Sequence, residues 1–181
     1  MNLPNKITIL RVFMIPIFLV FMLMDNISYG NYIAAAIFVV ASLTDALDGY
    51  IARKYNLTTN FGKFMDPLAD KLLVSAALIC FVAMPEVGMP VWAVIVIISR
   101  EFIISGFRLV ASDNGVVIAA SYWGKFKTTA QMVMSVLLIV NLDGTIMNLL
   151  EQIFIYLSVI LTIISLVDYL YKNKGVLKEG K

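Results

Sequence analysis

The sequence predicts an all-α integral membrane protein with six transmembrane helices, and three observations lead to this prediction. Of the 181 residues, 61% are hydrophobic and only 14% are charged, whereas about 25% of the residues in a typical soluble domain are charged. The mean hydropathy of the chain is +0.90, so a lipid bilayer is the expected solvent. Short polar turns divide the sequence into six apolar segments of about 20 residues, the length that crosses the hydrocarbon core.

Each predicted helix begins and ends where the sequence changes in polarity. The six segments, in chain order, are residues 7–24, 32–51, 64–84, 91–110, 122–142 and 149–171. The connections after the first, third and fifth segments are short and rich in Gly, Pro, Asn and Asp, as expected of tight turns. The first segment directly follows basic residues and has no small-residue cleavage site after it, so it does not resemble a cleavable signal peptide. Residues 1–181 are expected to form a single domain.

The basic residues predict how the helices are oriented in the membrane. Every Lys and Arg except Arg100 lies near the N-terminus, near the second-to-third connection, near the fourth-to-fifth connection or in the C-terminal tail. Positively charged loops stay on the cytosolic side of a membrane. Both chain termini are therefore expected in the cytosol, which agrees with an even number of crossings.

Four aspartates lie at the ends of two apolar helices, where a charge is costly and usually functional. Asp45 and Asp48 end the second segment, and Asp66 and Asp70 begin the third. At about 100° per residue, each pair falls on one face of its helix. The link between the two helices is short, so they run antiparallel with adjacent ends. The two pairs are therefore expected to face each other near the cytosolic surface.

Four carboxylates in one pocket repel one another unless cations neutralise them. Hard divalent cations take oxygen ligands, and two such ions suit displacement at phosphorus because they stabilise both the incoming and the leaving oxygen. The small residues Gly49, Ala52 and Gly62 leave room for a nucleotide, and Arg53 can pair with phosphate. Close helix packing is the alternative explanation for the small residues. A capped or solvated helix end is the alternative for any single aspartate.

The residues from Asp45 to Asp70 resemble the signature of the CDP-alcohol phosphotransferases, also called CDP-alcohol phosphatidyltransferases. That signature is D-x2-D-G-x2-A-R-x8-G-x3-D-x3-D, and this chain matches it at each fixed position. Four flanking segments look like the bacterial phosphatidylglycerophosphate synthases of this family: residues 4–11, 66–71, 99–102 and 124–128. The resemblance covers nearly the whole chain, and the aspartate motif is its most specific part.

This resemblance implies a six-helix fold, often a homodimer, with a metal site that faces the cytosol of a bacterial plasma membrane. The implied ligands of two Mg²⁺ or Mn²⁺ ions are Asp45, Asp48, Asp66 and Asp70. Asp70 is also the implied catalytic base, and since the chain has no histidine, the base has to be a carboxylate, Lys or Tyr. The implied contacts of the CDP group are Asp48, Gly49, Ala52, Arg53, Gly62, Asn5 and Thr8. An amphipathic lead-in at the membrane surface is the alternative for Asn5 and Thr8.

The implied reaction moves the phosphatidyl group of CDP-diacylglycerol to glycerol 3-phosphate and releases CMP. Glycerol 3-phosphate is anionic, so basic residues of the cytosolic side are candidate ligands for its phosphate. These candidates are Arg108, Lys125, Arg100 and Lys127. Arg100 falls inside a predicted span, which favours the bundle interior, and its neighbour Glu101 lies about 100° further round the helix, so pairing does not follow. Orientation by the positive-inside rule is the alternative for the other three.

Two other functions stay open at this stage. The same reaction with serine, inositol phosphate or another polar alcohol would differ only in the acceptor. A small cation transporter would use the aspartates as an ion site, but such sites lie near the membrane midplane between repeated halves, and this sequence has no internal repeat. A structural membrane subunit would not need four buried carboxylates.

The expected partners are the two substrates, the lipid bilayer and a second copy of the chain, without nucleic acid.

Overall fold

A computed structural model describes residues 2–24, 26–55, 60–113, 118 and 121–175, apart from the side chains at positions 3, 4, 46, 48–50, 52, 53, 60–64, 66, 67 and 113. Within these residues the chain forms six α-helices and no β-strand. The helices are α1 (Leu3–Leu23), α2 (Gly30–Lys54), α3 (Asn60–Ala83), α4 (Val91–Asp113), α5 (Tyr122–Val140) and α6 (Thr145–Lys172), with a short 3₁₀-helix at Pro85–Val87. The predicted all-α fold is confirmed, and each predicted segment corresponds to one helix.

Two of the described helices are long and apolar enough to cross a membrane. They are the part of α1 from Asn5 to Leu23 and the whole of α6, and a shorter apolar helix covers Gly30–Asp45. Large apolar side chains lie on the outside of these helices, such as Phe13, which is 66% exposed. Ionisable side chains such as Arg11 are buried. This distribution is typical of a protein surrounded by lipid. Six membrane crossings and cytosolic termini stay predictions.

The ends of two helices follow from their local sequence. At the start of α1, the side chain of Asn2 accepts a hydrogen bond from the backbone N–H of Asn5 at 3.4 Å. This bond satisfies one of the donors that have no partner within the first helical turn. At the start of α6, Gly144 has a φ angle of 146°, a conformation that residues with a Cβ rarely adopt. Both caps fix where an apolar helix begins.

Contacts divide the chain into two compact units. The first unit contains Met1–Gly88 and Leu138–Asn141, and the second contains Met89–Leu137 and Leu142–Lys181. Within the first unit, α1 packs against both α2 and α3, whereas α2 and α3 share a smaller contact. Within the second unit, α4 packs against α6. A single domain over residues 1–181 stays a prediction.

Close packing of α1 on α2 determines how the first unit is built. The rings of Phe18 and Phe38 are fully buried, with their centroids 6.0 Å apart. Nearer the connection between the two helices, a Cβ added to Gly30 would lie 3.0 Å from the backbone oxygen of Phe21. The missing side chain therefore allows the two helix backbones to approach closely, as small residues do in membrane proteins.

Candidate active site

The four aspartates of the motif belong to the first unit, two on α2 and two on α3. The structure describes the side chains of Asp45, which is partly buried with 38% of its side chain exposed, and of Asp70, which is exposed. The side chains of Asp48 and Asp66 lie outside the described residues. The shared metal site of the four carboxylates therefore stays a prediction, as does the role of Asp70 as catalytic base.

Asp45 is held by a buried arginine from α1. Nη1 of Arg11 donates to Oδ1 of Asp45 at 2.6 Å, and Nε of Arg11 donates to the backbone oxygen of Ala41 at 3.2 Å. The Arg11 side chain is 0% exposed, so its charge needs a paired anion to remain in the interior. The two bonds differ in direction and together fix the guanidinium plane. Arg11 therefore fixes the position of the first aspartate of the motif.

Arg11 was not among the predicted site residues, although one signal pointed to it. It lies within the first predicted apolar segment, where a charge is as costly as that of Arg100, but the positive-inside rule also explains a basic residue near the N-terminus. Asn5 and Thr8 precede it at intervals of three residues, so each lies about 60° round α1 from the next. Both are buried. Their contact with the CDP group stays a prediction.

Most residues predicted to hold the CDP group lie outside the described side chains. They are Asp48, Gly49, Ala52 and Arg53 on α2, and Gly62 on α3. Their backbone is helical, as the predicted faces require. Their roles in binding CDP stay predictions.

Two of the four predicted acceptor ligands come together in the second unit around one carboxylate. Nη1 of Arg100 donates to Oε1 of Glu101 at 3.0 Å, and Nζ of Lys127 donates to the same oxygen. Arg100 also donates from Nε to Oγ of Ser165 on α6 at 3.1 Å. Arg100 and Lys127 are buried. Arg100 and Glu101 are therefore paired, an outcome that their positions on the helix left open.

The other two predicted acceptor ligands are exposed side chains of the same unit. Arg108 lies near the end of α4, with its guanidinium 5.7 Å from the centre of the Tyr169 ring. Such a cation–π contact orients the guanidinium without using its hydrogen-bond donors. Lys125 lies in the first turn of α5. Binding of the acceptor phosphate by these four residues stays a prediction.

The start of α5, which carries Lys125, is tied to the end of α6. Oγ of Ser121, directly before α5, donates to Oδ2 of Asp168 at 2.6 Å. Oδ1 of Asp168 pairs with Lys172 at 2.7 Å, one turn further along α6. These contacts hold the first turn of α5 in place.

Comparison with known proteins identifies the family to which this chain belongs. Residues 1–164 match the family model of CDP-alcohol phosphatidyltransferase. The chain belongs to this family. The match includes sequence from both structural units, and it argues against the cation-transporter alternative.

Relatives in the CDP-alcohol phosphatidyltransferase family align over most of the chain. A Bacillus subtilis protein named CDP-diacylglycerol–glycerol-3-phosphate 3-phosphatidyltransferase is 46% identical over 99% of this chain and 98% of its own length. A Haemophilus influenzae protein of the same name is 42% identical over 99% and 97%. A Mycobacterium tuberculosis protein named probable phosphatidylglycerophosphate synthase is 37% identical over 93% and 79%.

The available donor atoms of this family member suit a hard divalent cation. The chain has no histidine and one cysteine, and that cysteine, Cys80, is buried within α3. The described motif side chains, Asp45 and Asp70, offer carboxylate oxygens, which Mg²⁺ and Mn²⁺ prefer. The residues therefore fit the metal ions implied by the resemblance.

Proposed function

We propose that the protein transfers the phosphatidyl group of CDP-diacylglycerol to glycerol 3-phosphate, giving phosphatidylglycerophosphate and CMP. The observation that carries this proposal is the complete aspartate signature in this chain. Relatives named for this phosphatidyltransferase reaction align with the chain over almost its whole length. The relatives supply the substrates of the proposal, and the signature supplies its chemistry. The protein is thus an enzyme of phospholipid synthesis.

The proposed chemistry assigns each aspartate a part in one displacement at phosphorus. Asp45, Asp48, Asp66 and Asp70 would hold two Mg²⁺ or Mn²⁺ ions, which would neutralise the pyrophosphate and stabilise the departing oxygen. Asp70 accepts the proton of the acceptor hydroxyl. The hydroxyl oxygen then bonds to the phosphorus on the lipid side, and the bond from that phosphorus to the CMP oxygen breaks.

The remaining predicted residues bind and orient the two substrates. The small residues Gly49, Ala52 and Gly62 leave space for the CDP group along the helix backbone, and Asp48, Arg53, Asn5 and Thr8 contact it. Basic side chains bind the phosphate of the acceptor: Arg108, Lys125, Arg100 and Lys127. The burial of Arg100 and Lys127 supports this part of the proposal, because a charge shielded from water binds an anion more strongly.

The proposed setting is the plasma membrane of a bacterium, with six crossings, both termini in the cytosol and a homodimeric assembly. The exposed apolar side chains of the helices support the membrane location. The grouping of Lys and Arg at alternate connections supports the orientation. CDP-diacylglycerol keeps its acyl chains in the bilayer, so a site at the cytosolic surface receives its head group and a water-soluble acceptor together.

The direct test is CMP release by the purified protein in detergent micelles with CDP-diacylglycerol, Mg²⁺ or Mn²⁺ and one acceptor at a time. We expect release with glycerol 3-phosphate. Release with serine or inositol phosphate but not with glycerol 3-phosphate would contradict the acceptor and keep the reaction. Absence of release with every acceptor would contradict the enzymatic function.

A further inference from the structure

Glu101 holds two buried cations that come from different helices. Its Oε1 atom accepts from Nη1 of Arg100 on α4 and from Nζ of Lys127 on α5. The side chain of Glu101 is 19% exposed, compared with 10% for Arg100 and 4% for Lys127. The three side chains together carry one net positive charge, which is the sign that an anionic ligand requires. Glu101 therefore keeps two like charges close together.

Ser165 holds the Arg100 guanidinium at a second nitrogen, Nε. It accepts a hydrogen bond from Nε of Arg100 and donates one to the backbone oxygen of Thr162. Nε and Nη1 are thus both engaged, so the guanidinium plane cannot rotate without breaking a bond. Its third nitrogen, Nη2, makes no hydrogen bond to the residues that the structure describes.

The direction of this third nitrogen is set by its neighbours. A Cβ built on Gly124 would lie 3.5 Å from Nη2 of Arg100, so Nη2 reaches the first turn of α5. The backbone N–H groups of a first helical turn favour anions, and Lys125 lies in the same turn. A planar, always charged group directed at this turn matches the requirements of a phosphate ligand.

We propose that Glu101 is a positioning residue for the acceptor phosphate. Together with Ser165 it directs Nη2 of Arg100 toward the first turn of α5 and holds Lys127 beside it. This inference rests on the proposed function, because it concerns the phosphate-binding residues of the same reaction. Glu101 itself touches neither substrate.

Removal of the Glu101 charge has two opposing effects on phosphate binding. It eliminates an anion that competes for the two cations, but it also leaves two buried positive charges side by side. Like charges at such a separation repel strongly where water is excluded. The second effect dominates, because this repulsion displaces the Arg100 and Lys127 side chains from the positions in which Glu101 holds them.

The test compares Glu101→Gln with Glu86→Gln, which removes the same charge from an exposed residue of the Pro85–Val87 helix. Initial rates of CMP release give kcat and the KM of each substrate, and inorganic phosphate serves as a competitive inhibitor against glycerol 3-phosphate. We expect Glu101→Gln to raise two constants by about tenfold or more: the KM for glycerol 3-phosphate and the inhibition constant of phosphate. The kcat and the KM for CDP-diacylglycerol should change by less than about threefold. Glu86→Gln should match the unmodified protein.

A second variant keeps the inference testable if Glu101→Gln does not fold. Ser165→Ala removes the other hydrogen bond to Arg100 with little change of volume, and it should raise the same two constants by about two- to fivefold. Unchanged or lowered constants in the folded variants would overturn the inference. Parallel changes in kcat, in both KM values and in the thermal midpoint would also overturn it, because they indicate only a structural brace. If the unmodified protein releases no CMP, it is the proposed function that fails.

Discussion

Replacement of Arg11 by methionine is expected to destabilise the first unit by about 2–3 kcal/mol, because the bonds of a buried charge are lost. Removing one partner of a fully buried ion pair costs about 3–5 kcal/mol. Here the cost is smaller, since Asp45 is 38% exposed and water can reach its carboxylate after the change. Methionine fills most of the volume of the arginine stem, so a cavity contributes little. Arg11→Lys keeps the charge but loses one of the two bonds, and about half of the effect is expected.

The assay is denaturant unfolding of the purified protein in detergent micelles with EDTA present, so that metal binding does not contribute. Lys6→Met is the matched control, because Lys6 is an exposed basic residue on the same helix; a change within about 0.5 kcal/mol is expected. A double-mutant cycle with Asp45→Asn should give a coupling energy above about 1 kcal/mol. Equal stabilities of the Arg11 and Lys6 variants, or a coupling energy near zero, would refute this account of the pair.

Three further predictions follow from the packing and the proposed chemistry. Gly30→Ala should destabilise the protein by about 1–2 kcal/mol in the same unfolding assay, because the new Cβ would press on the backbone oxygen of Phe21. The control, Gly106→Ala, has nothing within 4 Å of the new Cβ and should be neutral or stabilising. A larger loss of stability in Gly106→Ala than in Gly30→Ala would contradict the packing argument. Asp70→Asn should lower kcat for CMP release by about 10²-fold or more, because the catalytic base is lost. The control Asp143→Asn, in an exposed turn, should leave kcat unchanged. Near-normal turnover by Asp70→Asn would reject Asp70 as the base. EDTA should abolish CMP release, and added Mn²⁺ should restore it; release that persists in EDTA would exclude a metal-dependent reaction.

The helices were the part of the fold that the sequence predicted well. Apolar segments bounded by Gly, Pro, Asn and Asp leave little choice of boundary, so the predicted segments differ from the observed helices by only a few residues at most ends. The largest differences are at polar ends, as where α3 begins at Asn60 rather than at residue 64. A helix can continue into the polar interfacial region, where hydropathy no longer marks its limit.

The polar contacts between helices were less predictable. The aspartate motif is continuous in sequence, so its spacing alone indicated a site. Arg11 and Glu101 act on partners 34 and 26 residues away, and no local pattern specifies such pairs. For Glu101, the angle between neighbouring residues on a helix also gave no indication of the ion pair. Arg100 and Glu101 leave the helix in different directions, but both side chains are long enough to bend toward each other. The approach of Lys127 from another helix favours that bend.

The most direct test of the account measures how much Mn²⁺ binds to the EDTA-treated protein in the presence of CDP-diacylglycerol. The electron paramagnetic resonance signal of free Mn²⁺ decreases as the ion binds and therefore reports the bound amount. Saturable binding of about two ions per chain is predicted, with a large loss of affinity in Asp45→Asn and Asp66→Asn and no change in Asp143→Asn. Absence of saturable binding, or equal binding by all three variants, would contradict a site in which the aspartates of α2 and α3 share metal ions.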